Sequence, residues 1–360
     1  MNNNILYKDH SFARVYQSLN LSANLKTLAE DFIVEEHIPV QFSGEGEHCW
    51  IYIEKRGCNT DWLAQQLADY CGVKKMEVAY AGLKDRHALT SQWFSVQLPG
   101  KPTPDWVDFE SRFESGFEGE NIRVLQCFRH NRKLQRGALK SNAFKITLRE
   151  LSHTSDETFE LLKQRCQLIA QNGVPNYFGP QRFGHNYNNL EQAARFFSKS
   201  GYKLPKQKRS IYLSAARSWL FNCILSERIN LHVWNKGLPG DVFMLDGKSA
   251  CFKDDGTDAL DDRLANNEIH PTAILWGEGD VMVSSDAAEL ESRIIEQFPV
   301  FRDGLIAARL QAQRRSCRVV PDQFYSCRQA DNFIVSFSLP AGSYATSVLA
   351  EIFSQLTVPV

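Results

Sequence analysis

No stretch of the 360-residue sequence stays apolar for the ~18 residues that a membrane helix needs, so no spanning segment is expected. The nine cysteines are odd in number and none lies in a C-x-x-C pair, which argues against a zinc ribbon or a thioredoxin-type motif. Scattered in this way, they read as small buried hydrophobes. The nine histidines are equally dispersed, without H-x-x-x-H or H-E-x-x-H spacing, so no metal site is expected. A nucleotide-binding glycine loop is also missing, and no organic cofactor is expected. There is no repeat of solenoid period and no low-complexity tract. Met1-Asn2-Asn3-Asn4-Ile5 has neither the basic nor the apolar region of a secretion signal. The expectation is a cytoplasmic protein without membrane partners.

What remains is an ordinary globular composition, 43% hydrophobic and 23% charged, long enough for two domains. The net charge of −1 hides an uneven distribution. Residues 121–150 carry eight cations (Arg123, Arg129, Arg132, Lys133, Arg136, Lys140, Lys145, Arg149) against Glu150 alone. Residues 251–300 carry twelve acids against three cations. Local potential decides whether a phosphate backbone is attracted, so the first stretch permits an RNA groove.

Short strands and helices alternate in the first half. Strands are expected over 32–36, 49–54, 78–81 and 93–98. Asn59 and Thr60 offer cap chemistry for a helix running to Cys71 and closed by Gly72. Residues 122–130 and 143–149 read as a strand pair, with Phe144, Ile146 and Leu148 alternating against Lys145, Thr147 and Arg149. Thr154-Ser-Asp-Glu157 is a capping-box signature opening a helix to Gln171. After Pro175 the texture changes, with helices near 189–199, 210–229 and 286–297. A long basic-ended helix near 300 is expected to carry Arg309, Arg314, Arg315 and Arg318. Strands over 323–328 and 332–339 and a final helix over 344–356 return to the style of the first half. This suggests a strand-rich domain built from both chain ends, with residues 173–310 inserted.

Four segments hold residues suited to chemistry. In Ala81-Gly82-Leu83-Lys84-Asp85-Arg86-His87-Ala88, a short strand ends in a turn and an acid emerges between two cations. Lys84 and Arg86 are expected to keep Asp85 ionised and to draw a polyanion towards it, an arrangement suited to attack on a sugar or an electron-poor ring. A solvated turn capped by Asp85 is the competing reading. The basic run from His130 to Phe144 supplies phosphate contacts. Within it, Asn142 has an amide that can pair with a base edge, and Phe144 can stack or, as its alternation favours, pack in a core. Asn176 to Gly184 mixes aromatics, glycines and Arg182, as a packed joint or an RNA-stacking loop does. Gly342-Ser343-Tyr344 turns into a helix and places Tyr344 where a flipped base could stack.

Taken in order, these segments resemble the TruD family of tRNA pseudouridine synthases. The resemblance includes Glu30-Asp31-Phe32-x-Val34-x-Glu36, Gly44-x-Gly46-Glu47-His48, Asn59-Thr60, Gly82-Leu83-Lys84-Asp85, Asn142-x-Phe144, Asn176 to Gly184 and Tyr344 to Val348, nearly the whole chain. It implies a V-shaped two-domain α/β (α+β) protein. The catalytic domain, with a mixed, mainly antiparallel sheet, would comprise 1–172 and 311–360, and an inserted α/β domain 173–310. It implies isomerisation of uridine to pseudouridine, in the bacterial branch at position thirteen of tRNA, without metal or cofactor. Asp85 matches the family's catalytic aspartate. Phe32, Asn142 and Tyr344 match substrate-contacting positions, Lys26 matches a basic residue near the active site, and Phe144 accompanies Asn142. A monomer is the expected state.

Two other functions fit the residues alone. A non-catalytic RNA-binding protein or RNA chaperone would keep the cations and aromatics without needing Asp85. A retaining glycosidase would need a second carboxylate about 5 Å from Asp85, and Glu77 is the nearest preceding acid in the chain.

Overall fold

The computed structural model describes residues 11–114, 121–199, 203–254 and 260–358. The N-terminal pentapeptide lies outside them. The chain clusters into two compact units. A sheet unit comprises Leu19–Gln167, Pro321–Gly342 and Phe353–Val360, and a helical unit comprises Met1–Ser18, Leu168–Val320 and Ser343–Ile352.

The sheet unit is built on one ten-stranded mixed sheet. Its main order is Asp322–Gln329, Asn332–Pro340, Ser141–Arg149, Phe32–His37, Leu89–Gln97, His48–Arg56, Asn121–His130. Ser22–Leu25 pairs with Ser141–Arg149 and with Gln355–Thr357, and Val78–Tyr80 pairs with Leu89–Gln97. Only the pairings of Phe32–His37 with Leu89–Gln97 and of Ser22–Leu25 with Gln355–Thr357 are parallel. The sheet is thus mixed and mainly antiparallel, as expected. The two basic strands expected to pair do not: three strands separate Asn121–His130 from Ser141–Arg149. Strand order is set by long-range register, which the short link between them conceals.

Alternation assigns the two faces. Cys49, Ile51, Ile53, Phe94 and Val96 pack against Leu63, Ala64 and Leu67 of helix Thr60–Cys71. Gly72 ends that helix at φ 60°, the left-handed C-cap that glycine favours. Trp50, Tyr52 and Trp93 point to the opposite face and cluster with Phe42 and Leu134.

In the helical unit, Lys206–Asn230 runs through the core and buries Trp219, Leu220, Phe221 and Ile224 completely. A four-stranded sheet of Cys251–Lys253, Val242–Leu245, Ile269–Leu275 and Gln313–Ser316 belongs to the same unit. The basic helix expected near 300 is shorter than its sequence suggests. It spans Pro299–Ala307, and Arg309 adopts φ 57°, outside the helical region. Arg314 lies instead on a strand, where it meets the buried carboxylate of Glu291 at 2.7 Å and the Thr272 carbonyl at 2.9 Å. The last helix is also shorter, Ala345–Ile352. Phe353 is buried after it, and the Ser354 N–H donates to the Leu21 carbonyl at 2.9 Å, which leads the chain into a strand.

These contacts divide the chain differently from boundaries at 172/173 and 310/311. Ala345–Ile352 clusters with the helical unit, where the Ser347 hydroxyl donates to the Tyr177 carbonyl at 3.0 Å. Residues 11–18 do likewise, with Phe12 stacked on Tyr177 at 5.2 Å. Among the described residues, no helix is long and apolar enough to cross a membrane.

Candidate active site

The sheet has a gap along one edge of Leu89–Gln97. Phe32–His37 pairs with its first residues, through Glu35 opposite Ser91, and Val78–Tyr80 pairs from Phe94 onwards. Gln92 and Trp93 therefore have no strand partner on that side. The loop of residues 81–88, which carries Asp85, leaves the sheet here.

Side chains fill the gap. The Glu36 carboxylate accepts from the Trp93 N–H at 2.9 Å and from the Lys84 ammonium at 3.1 Å. Gln92 donates through its amide to the Gly82 carbonyl, and its oxygen accepts from the Thr60 hydroxyl. Thr60 in turn accepts from the Lys84 N–H at 3.0 Å. Its hydroxyl is thus used on the loop, and neither Asn59 nor Thr60 provides the expected side-chain helix cap. Beneath the loop, fully buried Lys55 donates to the carbonyls of Cys58 at 2.8 Å and Asp85 at 3.1 Å. The Arg86 carbonyl accepts from the Gly57 N–H. Gly82, Lys84 and Arg86 are thus tied down on both sides of Asp85, which is held at the backbone while its carboxylate stays accessible.

That carboxylate has two donors, the Lys26 ammonium and the His87 N–H at 3.0 Å. Burial works to raise its pKa, but the Lys26 hydrogen bond, the His87 N–H and the Lys26 charge together hold it below the ordinary aspartate range. The Asp85 side chain keeps 22% of its exposure. Lys26 reaches it from a left-handed backbone position at φ 61°, an unfavourable conformation for lysine of the kind retained at functional sites. Its ammonium also lies over the Phe32 ring, 4.5 Å from the centroid.

The sequence assigned the charge balance to the wrong neighbours. The Lys84 side chain is buried and paired with Glu36 rather than facing a polyanion, and Arg86 is exposed. Lys26, 59 residues away, supplies the counter-charge. Glu77 accepts from the Lys74 N–H, and among the described residues no second carboxylate bonds to Asp85.

Phe32, Asn142 and Phe144 lie on the same face of adjacent strands, because Val34 pairs with Phe144 and Glu36 with Asn142. Phe32 meets Phe144 edge-on at 6.2 Å, and Phe144 leans on Phe337 at 5.5 Å. Phe32 is buried and Phe144 half-buried, so Phe144 is the more open ring. Phe32 is anchored through its neighbour Asp31, which pairs with Arg149 through three contacts of 2.8–2.9 Å. The Asn142 Oδ1 is buried and accepts no hydrogen bond among the described residues, a costly state that a substrate donor would relieve.

Asp85, Lys26, Phe32, Asn142 and Phe144 thus all belong to the sheet unit. Tyr344 belongs to the helical unit. Its hydroxyl accepts from the Arg182 guanidinium at 2.5 and 3.1 Å, its ring meets Phe178 at 6.0 Å, and Arg182 also reaches Ser214 at 3.0 Å. Of the basic run, Arg132, Arg136, Lys140 and Lys145 remain exposed and without an ion pair to any described residue. Gly46 lies against the start of that run, where a Cβ would come within 2.6 Å of the His130 carbonyl. No group of three His, Cys, Asp or Glu side chains suited to a metal occurs among the described residues.

Lys26→Met should let the Asp85 carboxyl take up its proton at higher pH. In the folded protein the Asp85 pKa is depressed, so the stability gained from its ionisation is present above the unfolded pKa and lost only as pH falls through the lower folded value. Without Lys26, burial is opposed by little more than the His87 N–H, and protonation sets in at higher pH. An unchanged titration of the Asp85 carboxyl in the variant, read from its carbon NMR shift against pH, would remove Lys26 from this role.

Comparison with known proteins finds relatives along nearly the whole chain. The family model described as "tRNA pseudouridine synthase D (TruD)" matches residues 13–191 and 186–352. The chain is 45% identical to tRNA pseudouridine synthase D of Methylococcus capsulatus over 344 residues, covering 94% of this chain and 93% of that one. It is 42% identical to the enzyme of the same name from Hydrogenovibrio crunogenus, covering 95% and 96%. A crystal structure assigned to a tRNA pseudouridine synthase D of Methanosarcina mazei shares the fold, with a TM-score of 0.70 at 23% identity over 95% of this chain and 96% of that one.

Proposed function

This chain belongs to the TruD family of tRNA pseudouridine synthases, which are isomerases, and on that footing we propose that Asp85 is its catalytic nucleophile and a uridine at position thirteen of tRNA its target. The observation that carries the proposal is the Asp85 carboxylate itself. It is kept ionised by Lys26 and the His87 N–H and fixed at the backbone by Lys55.

The reaction breaks the N1–C1′ bond, turns the uracil and joins C5 to C1′, and the C5 proton is lost as N1 gains one. A stacked base cannot turn, so the nucleotide is flipped out at a cost of a few kcal/mol. An ionised Asp85 serves both available routes, attack at C1′ with a transient ester or assistance to elimination at the ribose. Lys26 keeps it charged. Phe144, with Phe32 behind it, offers the flipped base a stacking surface. The unpartnered Asn142 Oδ1 suits the uracil N3–H, the donor that identifies the ring as uracil. Tyr344 is assigned to the detached ring on its motif, braced by Arg182. The assignments of 1–172 with 311–360 as catalytic domain and 173–310 as insertion belong to the same proposal.

The direct assay uses unmodified tRNA tritiated at uridine C5. Tritium release, with the product mapped by mass spectrometry to nucleotide thirteen, is the expected outcome. Release from another position would replace the proposed target, and no release from any tRNA would favour the RNA-binding protein.

A further inference from the structure

The helical unit carries a surface that this chemistry does not use. From Gln192 through Ser226 the sequence has seven Lys and Arg residues and no Asp or Glu. Arg217 turns inward to the carbonyls of Leu275 and Gln311. The other six, Arg195, Lys199, Lys203, Lys206, Lys208 and Arg209, are exposed. They gather where helix Asn188–Ser198 ends and Lys206–Asn230 begins, two helices that share a core through Leu190, Ala193, Leu213 and Ala216.

None of the six has an acid of the described residues within ion-pair distance. Elsewhere in the unit Arg228 pairs with Asp241, Arg293 with Glu227, Arg302 with Asp303 and Arg314 with Glu291, and the exposed, unpaired Lys236, Lys248 and Arg309 are not part of such an acid-free run. The unpaired cations also act against the fold. They repel one another, and Lys206, Lys208 and Arg209 occupy the first turn of a 25-residue helix, where the dipole favours acids. That turn contains no acid, and Pro205 at its cap makes no side-chain bond. Stability does not account for this cluster, whereas an external polyanion does.

We propose that this surface is a second RNA contact, which holds the phosphate backbone of tRNA without reading its sequence. It rests on tRNA being the substrate and goes beyond the residues around Asp85. Contacts of this kind act on binding and leave the chemical step alone.

The test is the triple variant Lys206→Glu/Lys208→Glu/Arg209→Glu, with the three-glutamine variant beside it. KM for tRNA should rise about tenfold at ~0.1 M salt, and the slope of log Kd against log salt should become shallower by about 2–3. The turnover number at saturating tRNA should be unchanged. The melting temperature should hold or rise, because acids suit that turn. The glutamine variant should show a smaller shift in the same direction. Wild-type KM and salt slope in the triple variant would overturn the proposal. So would retained tRNA affinity with lost binding to phosphatidylserine vesicles, which would make the patch a membrane contact. If the wild type bound tRNA through this patch but released no tritium, the assignment of Asp85 would fall and the patch would stand.

Discussion

Asp85→Asn should bind tRNA with nearly unchanged affinity and form pseudouridine about 10⁴-fold more slowly or worse, the scale on which nucleophile replacements act. The substitution keeps shape and removes charge. Binding should survive because the exposed cations Arg132, Arg136, Lys140 and Lys145 lie elsewhere. Turnover should not, because a neutral amide neither attacks C1′ nor assists proton removal at the ribose. Loss of fold would not explain the result. Asparagine has one acceptor oxygen for the two donors, Lys26 and the His87 N–H, so one is left unpaired at a cost of about 1–3 kcal/mol. For a unit the size of the sheet unit that is a melting shift of roughly 2–12 °C, readable by calorimetry and short of unfolding at assay temperature. Turnover close to wild type would show that Asp85 only shapes the loop, and the RNA-binding function would be the stronger one.

How much of this was readable in advance depended on distance along the chain. Helix Thr60–Cys71 ends where Gly72 predicts, because a left-handed cap is a local requirement. The strand around Phe32 and the Asp85 turn were readable for the same reason. The partners of Asp85 were not. Lys84 and Arg86 are its neighbours in sequence, yet Lys26 balances it, because a sheet brings together residues that the sequence keeps 59 positions apart. Two supporting residues did leave a local trace. Phe32, Val34 and Glu36 share one face of a strand, as do Ile51, Ile53 and Lys55. A charge on the inward parity of an apolar strand needs a buried partner. Glu36 and Lys55 both have one in the loop that carries Asp85. The helix expected through Arg318 failed for the opposite reason. Its arginines resemble an exposed basic face, but Arg314 serves a buried glutamate that only the folded chain brings to it.

The Glu36–Lys84 pair gives the prediction with the largest effect on the fold. Glu36→Met leaves the Lys84 ammonium, whose side chain is only 7% exposed, without its counter-charge and the Trp93 N–H without an acceptor. Breaking a buried pair from one side costs about 3–5 kcal/mol, so the melting temperature of the sheet unit should fall by roughly 6–20 °C. Turnover should fall with it as the loop loosens. Glu36→Met/Lys84→Met removes both charges, and the part of the loss due to the unpaired ammonium should return, while the Trp93 N–H still lacks its acceptor. The double variant also separates two roles for Lys84. If its charge only anchors the loop, turnover should recover with stability, since Thr60, Lys55 and Gly57 still hold the backbone on either side of Asp85. If its charge acts on the RNA, the double variant should be stable and as slow as Lys84→Met. The buried position of Lys84 and its contact with Glu36 predict the first outcome, and a stable, slow double variant would overturn it.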